Sequence, residues 1–405
     1  MLSLLAAALL LQDEVDVVYR DGLRFRARDG AWEGYLGGFV RVHARAILDR
    51  PDDDLAPIRT VPDSVFLRTT RLETGGTYGS DWGYRFQVDF LTGTINQETG
   101  AAPSSTSTKP RDAWLEWHRF PWMSIRFGQF FEPCTGEELS TGRHLEFAER
   151  SSLSRLMPGR EQGLQIFGVL PGDLVRYYAM LSNGGGLVND DGRSVADAND
   201  EKELSGVVFV DPLPNLRLGL GGSIGDVDDV DAGGFEQTTL ELSVLWLDPT
   251  MGTFDGLRRR LDASLRFNQG PGLFRLEGLW RDDELAGAPE KRFESRGAFA
   301  TASWLLTGET KIPDQRVTPA SYWGALELAF RICRVEFPNA EDAGLANPGD
   351  AERLTTLTLA TTWWLGRHFR LSVDLVRERY AGGLDVDGRR VDALTGFLLR
   401  AQADF

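Results

Sequence analysis

From residue 84 to residue 90 the chain reads Tyr-Arg-Phe-Gln-Val-Asp-Phe, with aromatic and aliphatic residues alternating strictly with polar ones. Arg260 to Phe267 and Phe369 to Leu375 do the same, and so do the last nine residues, Phe397 to Phe405, with Leu398 as the exception. Successive side chains of a strand point to opposite faces, so this pattern sets one face against an apolar medium and the other against water. The segments run about ten residues, which is what a tilted strand needs to cross a bilayer. No apolar run approaches the roughly 20 residues of a membrane-spanning helix.

A soluble β-sandwich would also alternate, and three features favour a membrane barrel. The polar face carries Arg, Asp and Glu in mid-strand. Connections alternate between short and long, as periplasmic turns and external loops do. Aromatic residues gather at segment ends, as in interfacial girdles: Trp114, Trp117, Phe120 and Trp122; Tyr322 and Trp323; Trp363 and Trp364. Ordinary core aromatics are the alternative reading of these clusters.

The candidate strands are 34–47, 63–73, 82–92, 111–119, 123–131, 162–170, 174–182, 204–211, 214–224, 236–247, 258–267, 272–281, 296–306, 320–333, 352–364, 368–379 and 392–405. That is seventeen, and a single-chain bacterial barrel needs an even number. Loop phase locates the surplus: it holds through Pro212-Leu213, then slips at Gln269 to Pro271. One crossing fewer within 236–267 restores it. The expectation is an all-β, antiparallel transmembrane β-barrel of 16 strands, with 18 as the fallback. Residues 34–405 form the barrel, 13–33 an N-terminal periplasmic segment, and 1–12 a signal-peptide remnant read from the apolar run Leu4 to Leu11. A frayed N-terminal tail is the alternative for that last segment.

The net charge is −16, and only Lys109, Lys202, Lys291 and Lys311 are lysines. An acidic protein argues against a nucleic-acid partner. Acidic clusters at Asp52 to Asp54, Asp190–Asp191, Asp226 to Asp231 and Asp282 to Glu284 read as solvated loops, or alternatively as divalent-cation bridges to lipid headgroups. The two cysteines, Cys134 and Cys333, form no CxxC and have no nearby His pair, so no metal site or cofactor is expected. A disulfide between them at the outer rim is one reading and two free thiols the other, since a bond needs the Cα atoms within about 7 Å. Only His43, His118, His144 and His368 are available to a catalytic constellation, and none lies in a nucleophile motif, so no enzyme is expected.

Several segments resemble one family, the phosphate-selective porins O and P. Asp112-Ala113-Trp114-Leu115-Glu116-Trp117 and Ile125 to Pro133 look like its paired strands and the start of its long third loop. Glu137-Glu138-Leu139, Leu145 to Ser151 and Pro158 to Gly163 resemble the rest of that loop. Ser303 to Glu309 resembles the family's Leu-Thr-Gly-Glu signature, and Trp323 to Arg331 the strand after it. The resemblance implies a 16-stranded, usually trimeric barrel with the third loop folded into the pore. It also implies conduction of phosphate or polyphosphate past a ladder of arginines and a ring of lysines. A lysine ring cannot be carried over to a chain with four lysines.

Residues 132–161 exceed what a hairpin needs, and Leu145 to Leu156 is rich in helix formers. Folded inward, this constriction loop brings Arg143, Arg150, Arg155 and Arg160 together with Glu137 and Glu138. On the wall, Arg41, Arg85, Arg126, Arg266, Arg331, Arg370 and Arg400 lie out of phase with the apolar face and point into the lumen. Guanidinium groups bind oxyanions bidentately and keep their charge, so such a ladder would pass anions between weak sites. The competing reading pairs them with Asp89, Glu116, Asp262, Glu327 and Asp374 in a nearly neutral wall. The expected protein is an outer-membrane channel for small anions, phosphate among them, with lipid around it, two copies beside it in a homotrimer, and Phe405 as a signal to the barrel-assembly machinery. The alternatives are a general or weakly cation-selective porin and a plugged structural or adhesive barrel.

Overall fold

The computed structural model describes residues 15–19, 22–50, 60, 62–90, 108–134, 136–184, 200–231, 237–248, 252–386 and 389–405. The remnant expected at 1–12 and the acidic runs at Asp52 to Asp54 and Asp190–Asp191 lie outside them.

Sixteen antiparallel strands close into a barrel. The first half comprises β3 (Trp32–Ile47), β4 (Ser64–Tyr78), β5 (Trp82–Asp89), β6 (Lys109–Phe120), β7 (Met123–Phe131), β8 (Arg160–Val169), β9 (Val175–Ser182) and β10 (Glu203–Leu213). The second comprises β11 (Leu216–Asp231), β14 (Thr253–Gln269), β15 (Gly272–Leu285), β16 (Ala288–Leu305), β17 (Ala325–Glu336), β18 (Arg353–Leu365), β19 (Phe369–Val386) and β20 (Arg389–Asp404). β20 pairs with β3 to close the ring. At the seam Gly38 and Phe405 exchange both backbone hydrogen bonds, at 2.8 and 3.0 Å. A further hairpin, β1 (Val15–Tyr19) and β2 (Leu23–Ala27), continues the sheet beyond the end of β20 along the start of β3.

Burial is inverted relative to a soluble sheet. Along β19, Leu371, Val373 and Leu375 are 39–49% exposed while Ser372 and Asp374 are fully buried. A sandwich would bury the leucines; only an apolar solvent outside the ring makes this arrangement favourable. The aromatic girdle is present at the short-turn end, where Phe120, Trp122, Trp323 and Trp363 face outward. Trp364 departs from expectation. Its neighbour Trp363 takes the outer face, so period two sends Trp364 inward, where it is buried and donates to Glu327 at 3.0 Å. Trp114 is likewise on the inner face, under the Arg126 guanidinium at 4.4 Å.

The surplus segment 236–247 is no crossing. It forms a small hairpin, β12 (Gln237–Thr238) with β13 (Leu245–Leu247), that folds into the barrel and buries Leu242, Val244, Trp246 and Leu247. These residues join Leu153, Leu156 and Met157 of the third loop and Phe337, Leu345 and Ala351 of the β17–β18 loop in one apolar cluster. One side of the lumen is therefore filled toward the long-loop end. Asp282 to Glu284 also differ from expectation, because they are on β15 and not in a solvated loop. Asp283 is fully buried between Arg258 and Arg281, at 2.5 and 2.7 Å, and Asp282 binds Arg259 at 2.6 Å. β15 and β16, at 14 and 18 residues, are longer than the roughly ten a tilted strand needs to cross a bilayer, and ion pairs hold their long-loop ends together.

Candidate functional site

The third loop folds into the barrel. It holds a short helix, α1 (Gly136–Leu139), and a 3-10 turn at Ser152–Leu156. Its end comes two residues earlier than expected, since Arg160 is the first residue of β8 and binds Asp112 at 2.6 Å. Gly221 on β11 makes the approach close: a Cβ there would meet the Cys134 carbonyl at 2.4 Å.

Residues 145–149 have no strand partner for their carbonyls, and a buried carbonyl without a donor is costly. The wall supplies the donors. Arg370 donates to the Leu145 carbonyl at 2.9 Å, Arg331 to that of Glu149 at 3.1 Å, and Arg400 to those of Phe147 at 3.3 Å and Ala148. Thr362 donates to the Glu146 carbonyl at 3.3 Å, and Ala148 N–H donates to Asp374 at 2.8 Å. Arg331 also stacks on Phe147 at 4.3 Å and pairs with Glu241 of the 237–247 segment at 2.5 Å. Arg331, Arg370 and Arg400 thus point inward, as alternation requires, but the loop covers them to 1–2% exposure.

The other expected residues are spread around the ring. Arg41 donates to Gln402 at 3.1 Å and lies over Phe39, as do Arg71 and Arg143. Arg85 pairs with Glu73 at 3.0 Å, and Arg126 with Glu116 at 2.7 Å. In the loop, Arg143 reaches Glu73 at 2.8 Å and Asp404 at 3.2 Å. Arg150 donates to the carbonyls of Glu137 and Ser140, closing the loop on itself. Glu137 is buried, accepts from Ser151, and lies 3.8 Å from Arg331. Glu138 is also buried, which raises its pKa against the pull of Arg150 and Arg160. Arg155 lies in the 3-10 turn. Both cysteines are buried free thiols. Among the described residues no group of three or more His, Cys, Asp or Glu is placed to hold a metal ion.

Open space lies on the opposite side of the loop. A cavity of about 160 Å³ separates Ser140 and Leu139 from Tyr178, Arg217, Arg266 and Arg275. A second, of about 370 Å³ at the short-turn end, is lined by Arg176, Asp211, Arg217 and Arg266. Arg217 and Arg266 border both. Arg217 is the register partner of Arg266, and Arg266 that of Arg275, so the three guanidinium groups form a row across adjacent strands β11, β14 and β15. Asp211 neutralises one end of the row, at 2.6 Å from Arg217 and 3.2 Å from Arg176.

Of this group only Arg266 was expected from sequence. Arg217 and Arg275 carry the same signal, an arginine between apolar neighbours in Leu216-Arg217-Leu218 and Phe274-Arg275-Leu276. Alternation marked many inward arginines alike and could not say which would border a cavity.

The 306–324 connection between β16 and β17 is the least expected part. It lies at the short-turn end yet folds up into the lumen, where Lys311 is buried against Glu146 and Glu327. A third cavity, of about 430 Å³, opens beside it between Arg143, His144, Arg316 and Asp404.

Residues 49–224 match the family model described as phosphate-selective porin O and P. No curated protein matches the sequence. Among solved structures, the chain is similar to the outer membrane channel DcaP of Acinetobacter baumannii, with TM-score 0.59 and 14% identity over 94% of this chain and 99% of that one. It is similar to the trimer form of OmpT, an outer membrane protein of Vibrio cholerae, with TM-score 0.56 and 12% identity over 93% and 100%. OprB of Pseudomonas putida gives TM-score 0.57 and 11% identity over 93% and 95%. At these identities the likeness is one of fold.

Proposed function

We propose that this chain is a bacterial outer-membrane porin of the phosphate-selective O and P family and that it conducts small anions passively along the row Arg217, Arg266 and Arg275. The observation that carries the reading is that Arg217 and Arg266 border both the inner cavity and the short-turn vestibule, so a solute passing between them meets guanidinium on the way. Arginine keeps its charge and binds oxyanions through paired donors. Several weak contacts in series let an anion enter and leave. The covered arginines, Arg331, Arg370 and Arg400, have a different part: they hold the third loop against β17–β20 and so keep the passage on the β9–β15 side. Phosphate is the solute that the family's name suggests.

A homotrimer is supported by the trimeric form of the Vibrio cholerae relative. Phe405, exposed at the end of β20, suits a signal to the assembly machinery. The outward apolar belt suits lipid.

Purified protein in a planar bilayer under a potassium chloride gradient tests the reading. A reversal potential near that of chloride, with block by low inorganic phosphate, is expected. A cation-side reversal potential would sink it. The apolar cluster and the inserted 306–324 segment favour a second reading, a barrel closed by its own loops, and absence of any conductance would select that one.

A further inference from the structure

The 306–324 connection places a carboxylate in the arginine row. Asp314 has φ of +60°, a region that residues other than glycine enter at a cost, aspartate and asparagine less than most, and one held in place by the surroundings. Three residues earlier Lys311 is staked to Glu146 at 3.1 Å and Glu327 at 2.7 Å, and two residues later Arg316 pairs with Asp404. His144 Nδ1 donates to the Asp314 carbonyl at 3.2 Å. So held, the Asp314 carboxylate lies 3.0 Å from Arg266 and 3.3 Å from Arg275. Like charges directly opposite across a sheet repel. Asp211 lies beside Arg217 and Glu146 beside Arg275 at 3.6 Å, and Asp314 is the carboxylate that pairs with Arg266 at the centre of the row.

We propose that Asp314 is a tethered counter-ion that determines selectivity: it fills the arginine row as a permeating oxyanion would, and solutes cross only by competing with it. This rests on the reading that the row lines the solute path. A chain segment of fixed reach makes the competition tunable, because one carboxylate cancels part of the field from Arg217, Arg266 and Arg275 without closing the cavity it borders.

The test compares the native barrel with Asp314→Asn, whose side chain keeps the shape and tolerates positive φ. Glu309→Gln serves as the control: it removes the same charge from the same segment, at a carboxylate bonded to Thr307 and the Ala320 N–H. In a planar bilayer under a potassium chloride gradient, D314N is expected to shift the reversal potential toward that of chloride, the chloride-to-potassium permeability ratio rising severalfold. E309Q should not. An unchanged reversal potential in conducting D314N channels overturns the proposal, as does an equal shift in E309Q. A second measurement does not need conduction. Titrating the detergent-solubilised barrels with inorganic phosphate by calorimetry should show severalfold tighter binding by D314N than by the native protein; equal affinities overturn the proposal. If the native barrel conducts nothing, the channel reading fails, and the titration still decides the role of Asp314.

Discussion

Lys311 and Glu146 form a buried ion pair 3.1 Å long, and it joins two segments that enter the barrel from opposite ends. Glu146 belongs to the third loop and Lys311 to the 306–324 connection. Burial alone would raise the Glu146 pKa, but Arg275 and Lys311 overcome it and hold the carboxyl well below its usual range. Lys311→Met would leave Glu146 and Glu327 without their shared cation. Breaking a buried pair from one side costs about 3–5 kcal/mol. The thermal midpoint of the detergent-solubilised barrel should fall markedly, and an unchanged midpoint would show that the two segments are not joined there.

Arg400→Ala removes two donors from the carbonyls of Phe147 and Ala148. Its guanidinium is covered by the loop, so its charge is not on the proposed path. Single-channel recording should show larger or noisier conductance, from a looser loop, with the reversal potential unchanged. A clear loss of anion preference at native conductance would return Arg400 to the passage.

Arg217→Ala should act the other way. Arg217 borders both cavities and its loss opens no anchor of the third loop. Anion preference in the bilayer should drop at similar conductance, and phosphate block should weaken. Unaltered selectivity would count against the arginine row.

His144 lies in the third loop, and burial takes its pKa from the usual 6.5 down to about 4. Between those values the unfolded chain binds a proton that the folded one refuses. This contribution to stability is therefore complete above about pH 6.5 and drains away as pH falls toward 4. Thermal midpoints across this range should fall more steeply for the native barrel than for His144→Gln. Parallel curves would mean that the burial of His144 carries no such linkage.

Cys134 and Cys333 are at 0% and 2% exposure, with no bond between them. A maleimide should label neither thiol in the folded barrel and both after denaturation. Rapid labelling of the folded protein would place one of them at an open surface.

The strand count of the barrel was legible because its evidence is local. Alternation identifies a strand and its two faces within seven or eight residues, and the lengths of connections place the surplus crossing within 236–267. The same local signal failed where two neighbours compete for one role: Trp363 and Trp364 cannot both face the lipid. It failed again at Asp282 to Glu284, where an acidic run looks like a loop but pairs with Arg258, Arg259, Arg281 and Arg292 on extended strands.

Period-two alternation, by itself, determined which side chains point inward, because a strand's covalent geometry leaves each residue only two directions. Which inward arginines the third loop covers, and which border open space, was settled only by tertiary structure. Arg331, Arg370 and Arg400 differ from Arg217, Arg266 and Arg275 in nothing a sequence displays. They differ because residues 145–149, some 180 to 250 positions away, bring unpaired carbonyls to the first three. Asp314 reaches two of the others only because a connection folds up into the barrel. Contacts between segments so distant in the chain leave no periodic trace, and they decide which inward side chains are left beside open space.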